Sequence, residues 1–166
     1  MLIVALLFSG CSITLSVDEL MRPPSLTAEQ EDIYKALMEH TGNSGIKLKY
    51  PRSGEHRSAF IKYDIDFDNE QETIVFYDNT PTGINAEASV CVNILDDVDG
   101  KWQSIEEYQY SCSDIDIIDF VHNKDGAVSI AIGYVTGLSQ KVLDVYEYEE
   151  KKLNLVYQIN YTKLYV

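Results

Sequence analysis

Apolar positions along this chain follow two different periods, and the change between them falls at Tyr50-Pro51. Upstream, the stretch TAEQEDIYKALMEHTGNSG places Ile33, Ala36, Leu37 and His40 on one face of a 3.6-residue repeat. Thr27 with Gln30 three positions later is a capping-box signature. Glu29, Glu31 and Asp32 suit the positive end of a helix dipole, and Gly42 supplies a stop. The pattern predicts one amphipathic helix over residues 28–40.

Downstream the period is two. Segments rich in Val, Ile, Tyr and Phe recur at 58–63, 73–78, 88–95, 101–109, 114–121, 128–134, 141–148 and 152–161. Turn-forming stretches separate them at 78–83, 97–100, 123–126 and 149–152. Eight short strands after one helix predict a mainly β, antiparallel domain. A faint internal repeat divides the strands into two groups of four. A shift of 57 sets Tyr63 on Phe120, Tyr77 on Tyr134, Asp68 on Asp125, Asn69 on Gly126 and Asp66 on Asn123.

Between the first two strands lies YDIDFDNEQET, with carboxylates at Asp64, Asp66, Asp68, Glu70 and Glu72. If the stretch ran straight, alternation would put all five on one face about 7 Å apart, as a solvated acidic edge with Tyr63, Ile65 and Phe67 opposite. If it turned, the D-x-D-x-D run would deliver several oxygens to one hard cation such as Ca²⁺, which takes six to eight. An EF-hand is excluded, because its sixth and twelfth positions hold Asn69 and Val75 rather than Gly and Glu. What remains is D-x-D-x-D-N-x-x-E between two strands, with Asn69 able to adopt the left-handed backbone that Gly would otherwise provide.

This segment resembles the FG-GAP or VCBS repeats of β-propeller domains, in which a D-x-D-x-D-G-x-x-[DE] loop joins two strands of each blade. With its DELMRPPSLT stretch and short helix, the whole chain is similar to clostridial-type lipoproteins that carry such repeats. The resemblance implies Ca²⁺ held by the side chains of Asp64, Asp66, Asp68 and Glu72, with Glu70 contributing its backbone carbonyl. In the second copy Val121, Asn123, Asp125 and Ser129 take the ligand positions, so no strong site is expected there. The implied fold is two four-stranded, blade-like sheets after one short helix, read as a fragment of a propeller, since propellers close with about four to eight blades.

The first eleven residues, MLIVALLFSGC, are read apart from this domain. Leu2 to Phe8 are apolar but far short of the roughly 20 residues that span a bilayer, and small residues follow. Ser9, Gly10 and Cys11 resemble the lipobox of bacterial lipoproteins, which implies lipidation of Cys11, a membrane anchor and an extracytoplasmic location. The expected organisation is a signal and lipobox at 1–11, a tether at 12–26 containing Pro23-Pro24, helix and linker at 27–50, and blade-like repeats at 51–110 and 111–166. Cys91 and Cys112 sit in strand-like contexts and are left open as buried thiols or a disulfide.

Composition narrows the function. The 166 residues carry 27 Asp and Glu against 13 Lys and Arg, a formal net charge of −14, which repels nucleic acid and favours cationic partners. No GxGxxG, P-loop, HExxH or GxSxG motif is present, and Ser44-Gly45-Ile46-Lys47 has no S-D-N or K-T-G partner. His40, His56 and His122 are scattered. The expected function is non-enzymatic: surface binding or scaffolding toward a protein or carbohydrate ligand. The alternatives are an accessory domain of a secreted hydrolase and an inhibitor-like protein acting through an acidic face.

Overall fold

The computed structural model describes residues 26–43, 45–80, 86–124 and 126–163; the lipobox reading at Cys11 and all of the tether except Leu26 lie outside these residues. Helix α1 spans Ala28–Thr41. Its start is the reciprocal capping box: the Gln30 N–H donates to Thr27 Oγ1 at 3.2 Å, and the Thr27 N–H donates to Gln30 Oε1 at 3.1 Å. Gly42 ends it in the left-handed conformation at φ 65°. Ile33 and Leu37 are the buried residues of its apolar stripe.

The strands are β1 (Leu48–Lys49), β2 (Phe60–Tyr63), β3 (Glu72–Asp78), β4 (Val90–Val98), β5 (Lys101–Tyr110), β6 (Asp114–His122), β7 (Val128–Val135), β8 (Lys141–Glu149) and β9 (Lys152–Tyr161). All pairings are antiparallel. The second sheet has the expected four strands in the order β6-β7-β8-β9. The first has five rather than four, because β1 and β2 share the outer position beside β3: β1 pairs at Phe76 and Tyr77, and β2 at Glu72 to Val75. The break between them has a physical cause. Pro51 has no N–H to donate to a ladder, and the chain swings away to the other sheet, where Arg52 N–H donates to Ile115 O at 3.2 Å and Ser53 N–H to Asp116 O at 2.8 Å.

The repeat is sharper in space than along the sequence. A shift of 57 carries β3 (72–78) onto residues 129–135 of β7, whereas a shift of 51 carries β4 (90–98) onto β8 (141–149) and β5 (101–110) onto β9 (152–161). The change of six is the difference between the connections 79–89, with 11 residues, and 136–140, with five. Fine detail repeats as well. The β4–β5 ladder bulges between Ile94 and Leu95, and the β8–β9 ladder between Val145 and Tyr146. The hairpin turns are left-handed at Asp99 and Gly100 and at Glu150 and Lys151, again 51 apart.

Three layers result. Helix α1 lies on one face of the first sheet, packing Ile33 and Leu37 against Phe60, Val75, Tyr77, Cys91 and Leu95, with Leu26 and Trp102 at the margin. The opposite face, with Ile61, Ile74, Phe76, Val92 and Ile94, meets Ile118, Ile130, Ile132, Tyr134 and Tyr146 of the second sheet. Under the 57-residue shift Val75 and Tyr77, facing the helix, correspond to Ile132 and Tyr134, facing the first sheet. Ile74 and Phe76 correspond to Ala131 and Gly133, which alternation puts on the outer face of the second sheet. The sheets therefore stack head to tail, and α1 closes the end of the stack.

Candidate metal centre

Strand β2 ends at Tyr63 and β3 begins at Glu72, so the acidic residues occupy the hairpin connection between paired strands. The straight acidic edge does not form. Phe67 (φ 64°) and Asn69 (φ 73°) both take left-handed backbone, which turns the chain over a short distance. Carboxylates hold the turn by accepting from backbone amides a few residues ahead. Asp64 Oδ2 accepts from Asn69 N–H at 3.2 Å, Asp66 Oδ1 from Asp68 N–H at 3.3 Å, and Asp68 Oδ1 from Glu70 N–H at 2.8 Å.

Glu72 differs from the others. Standing at the first residue of a sheet-core strand, it is only 1 % exposed. One of its oxygens, Oε2, accepts from Ile65 N–H at 2.8 Å. The other, Oε1, is buried without a partner, and so is Asp64 Oδ1. Leaving such atoms unpaired costs about 1–3 kcal/mol each, more for a charged group. Burial is the main reason that the Glu72 carboxyl is pushed up to about 7; the Ile65 amide opposes this and the nearby Asp66 charge adds to it. Asp66 is raised as well, first by its own burial and then by the charge of Asp68.

Asp64, Asp66 and Glu72 each offer a carboxylate oxygen, and these oxygens lie within 4.8 Å of one another. Oxygens on opposite sides of a calcium ion are separated by roughly 5 Å, so one ion fits among the three. The donor set contains only hard carboxylate oxygen and no thiolate or imidazole, which suits Ca²⁺ or Mg²⁺ rather than zinc or copper. Of the five residues expected at a metal, four through their side chains and Glu70 through its backbone carbonyl, the structure gathers the carboxylates of these three. Asp68 and Glu70 stay exposed outside the group, and Asp68 caps the Glu70 amide.

Two groups near the site escape sequence reasoning. Asp96 of β4 and Tyr148 of β8 are each close enough to share electrostatics with Glu72. Both lie far along the chain: the β3–β4 pairing brings Asp96 beside Glu72, and the stacking of the two sheets brings Tyr148. The preceding strand is also tied across: Tyr63 stacks on Phe120 with centroids 3.8 Å apart, and its hydroxyl shares a 3.0 Å hydrogen bond with His122 Nε2.

The corresponding loop of the second sheet is closed differently. Asn123 Nδ2 donates to Ser129 Oγ at 3.0 Å, joining the residues that correspond to Asp66 and Glu72. Cys91 and Cys112 are buried and unpaired, Cys91 in the layer under the helix and Cys112 between the sheets. Among the described residues no helix is long and apolar enough to cross a membrane. Comparisons with protein families, with characterised proteins and with solved structures find no match to this chain.

Proposed function

We propose that this chain is a lipid-anchored, extracytoplasmic binding or scaffolding protein built from stacked blade-like sheets, in which Ca²⁺ at Asp64, Asp66 and Glu72 fixes the first hairpin. The observation that carries this reading is the Glu72 carboxylate. It is buried at the start of a core strand, with one oxygen unpartnered and two further carboxylates converging on it. A charge in that position is costly unless a cation meets it. Cys11 is the lipidated residue in this reading, and the chain's negative charge keeps it from nucleic acid.

The head-to-tail relation of the two sheets supports a propeller-type arrangement. The outer face of the second sheet repeats the face that the first sheet buries, and it leaves Val121, Tyr157 and Ile159 exposed at 50 %, 56 % and 44 %. A further sheet of the same kind would stack there.

Thermal unfolding in about 2 mM CaCl₂ against excess chelator tests the ion. For a site with dissociation constant near 0.2 mM, typical of extracellular modules, binding adds about 1.4 kcal/mol, a rise of about 3–6 °C in the midpoint. Equal midpoints in both buffers would refute the calcium reading.

A further inference from the structure

Tyr148 lies on β8 of the second sheet, on the side that packs against the first, in one apolar cluster with Ile65 of the acidic hairpin. Its ring is nine-tenths buried, yet the hydroxyl oxygen is shielded from solvent without any hydrogen-bond partner. Tyrosine hydroxyls in such positions ordinarily find one. The same residue borders a recess of about 430 Å³ whose opposite wall is Ile65, Asp66 and Phe67. Burial raises the proton affinity of the hydroxyl above its ordinary value, and the charges of Glu72 and then Asp66 raise it further. The hydroxyl is therefore within the field of two of the three converging carboxylates.

The acidic hairpin holds two unpartnered acceptors, Glu72 Oε1 and Asp64 Oδ1, and the sheet packed against it holds an unpartnered hydroxyl. A bare cation answers the carboxylates, and a cation carrying water answers the hydroxyl too, because a metal-bound water turns its hydrogens outward to an acceptor. Hard cations of this class commonly keep water in their shell. A nearby ion pair brings the sheets together at the same end: Lys151, in the β8–β9 turn, meets Asp96 of β4 at 3.3 Å.

We propose that the cation site is a staple between the two sheets, in which an ion held by Asp64, Asp66 and Glu72 reaches the Tyr148 hydroxyl of the second sheet through one of its own waters. This rests on the calcium reading above and extends it from one hairpin to the joint between repeats. Tyr148 is a positioning residue here; the direct ligands all come from the first sheet.

The test is calcium titration of the full chain with tyrosines labelled with ¹³C at Cζ, whose shift reports hydrogen bonding of the hydroxyl. The Tyr148 resonance moves and saturates together with calorimetrically measured Ca²⁺ binding, while that of Tyr161, which donates to Asp116 at 2.7 Å, stays in place. The Tyr148→Phe variant binds Ca²⁺ about fivefold more weakly, the size expected for one lost water-mediated hydrogen bond. Calcium binding with a still Tyr148 resonance, or with equal affinity in the variant, overturns the staple and leaves the hairpin site standing. No calcium binding to the unaltered chain overturns both. The resonance measurement needs no variant, so a Tyr148→Phe chain that fails to fold does not shield the proposal.

Discussion

Two hairpin loops in this molecule share one left-handed position and differ in how they are closed. In the loop between β2 and β3, Asn69 takes the left-handed position at φ 73°; in the loop between β6 and β7 the corresponding Gly126 does so at φ 93°. At the mouth of the first loop stand Asp66 and Glu72, and at the mouth of the second the matching Asn123 and Ser129, joined directly at 3.0 Å. The neutral pair satisfies itself. The acidic pair cannot, since two carboxylates without a proton offer only acceptors, and Asp64 adds a third. The second loop therefore turns without a cation, whereas the residues of the first loop need one to be buried at low cost.

The strongest way to break this comparison is to give the second loop the charges of the first. Ser129 is buried and hydrogen-bonded, so Asn123→Asp with Ser129→Glu removes that bond and places two acids side by side. In chelator the double variant is expected to lose about 3 kcal/mol of stability by denaturant unfolding, with only partial recovery in calcium, because Val121 offers no ligand where the first loop has Asp64. Unchanged stability in chelator would show that carboxylates are tolerated in this loop without an ion, and the contrast between the loops would lose its meaning.

The converse change removes the buried charge. Glu72 in the folded chain is pushed up to about 7 from an ordinary value of 4.5. Between those values the folded state holds a proton that the unfolded state releases, so stability is greatest below about 4.5 and falls as pH rises to about 7. The full penalty, roughly 3 kcal/mol from the size of the shift, is present above that range. Glu72→Gln keeps an oxygen for the Ile65 amide and abolishes the charge. In chelator at pH 8 the variant is expected to be more stable than the parent by about 1–3 kcal/mol, to lose the slope of stability between pH 5 and 7, and to show no midpoint shift with calcium. In the parent, calcium competes with that proton, so its affinity rises with pH over the same range. A parent curve without slope in chelator would place the Glu72 carboxylate in a far more polar setting than the fold provides.

Much of the fold was legible because the strongest signals were also the buried ones. Strands β3 and β7 have apolar centres and are buried along nearly their whole length, and the eight strands expected from alternation lie within three residues of their observed bounds. Strand β1 was missed because two residues carry no period, and its pairing depends on Pro51 sending the next segment to another sheet. The acid spacing pointed to a loop around a cation. It could not say which carboxylates converge, since that depends on where β3 begins: opposite Tyr63, Glu72 is already inside the ladder, while Asp68 two turns of the loop earlier is free to cap an amide. The Tyr148 hydroxyl had no sequence signal at all, because its relation to the loop exists only through the stacking of the sheets.

The same repeat supplies a smaller and cleaner comparison at the far hairpins. Both turns demand two consecutive left-handed residues. The first meets the demand with Asp99 and Gly100 at φ 57° and 79°, the second with Glu150 and Lys151 at φ 53° and 61°. Residues with a Cβ pay roughly 1 kcal/mol or more for that conformation, and Asn, with its short polar side chain, pays least among them. Lys151 is held by Asp96 across the sheets, so it is left in place. Glu150 is exposed at the rim of the recess beside Tyr148, and Glu150→Asn relieves its backbone. The expected gain is about 0.5–1 kcal/mol, or about 1–4 °C in the unfolding midpoint, equal in calcium and in chelator because the turn holds no ligand. A gain seen only with calcium would mean that the turn and the ion site are coupled through Lys151 and Asp96, and would extend the staple beyond Tyr148.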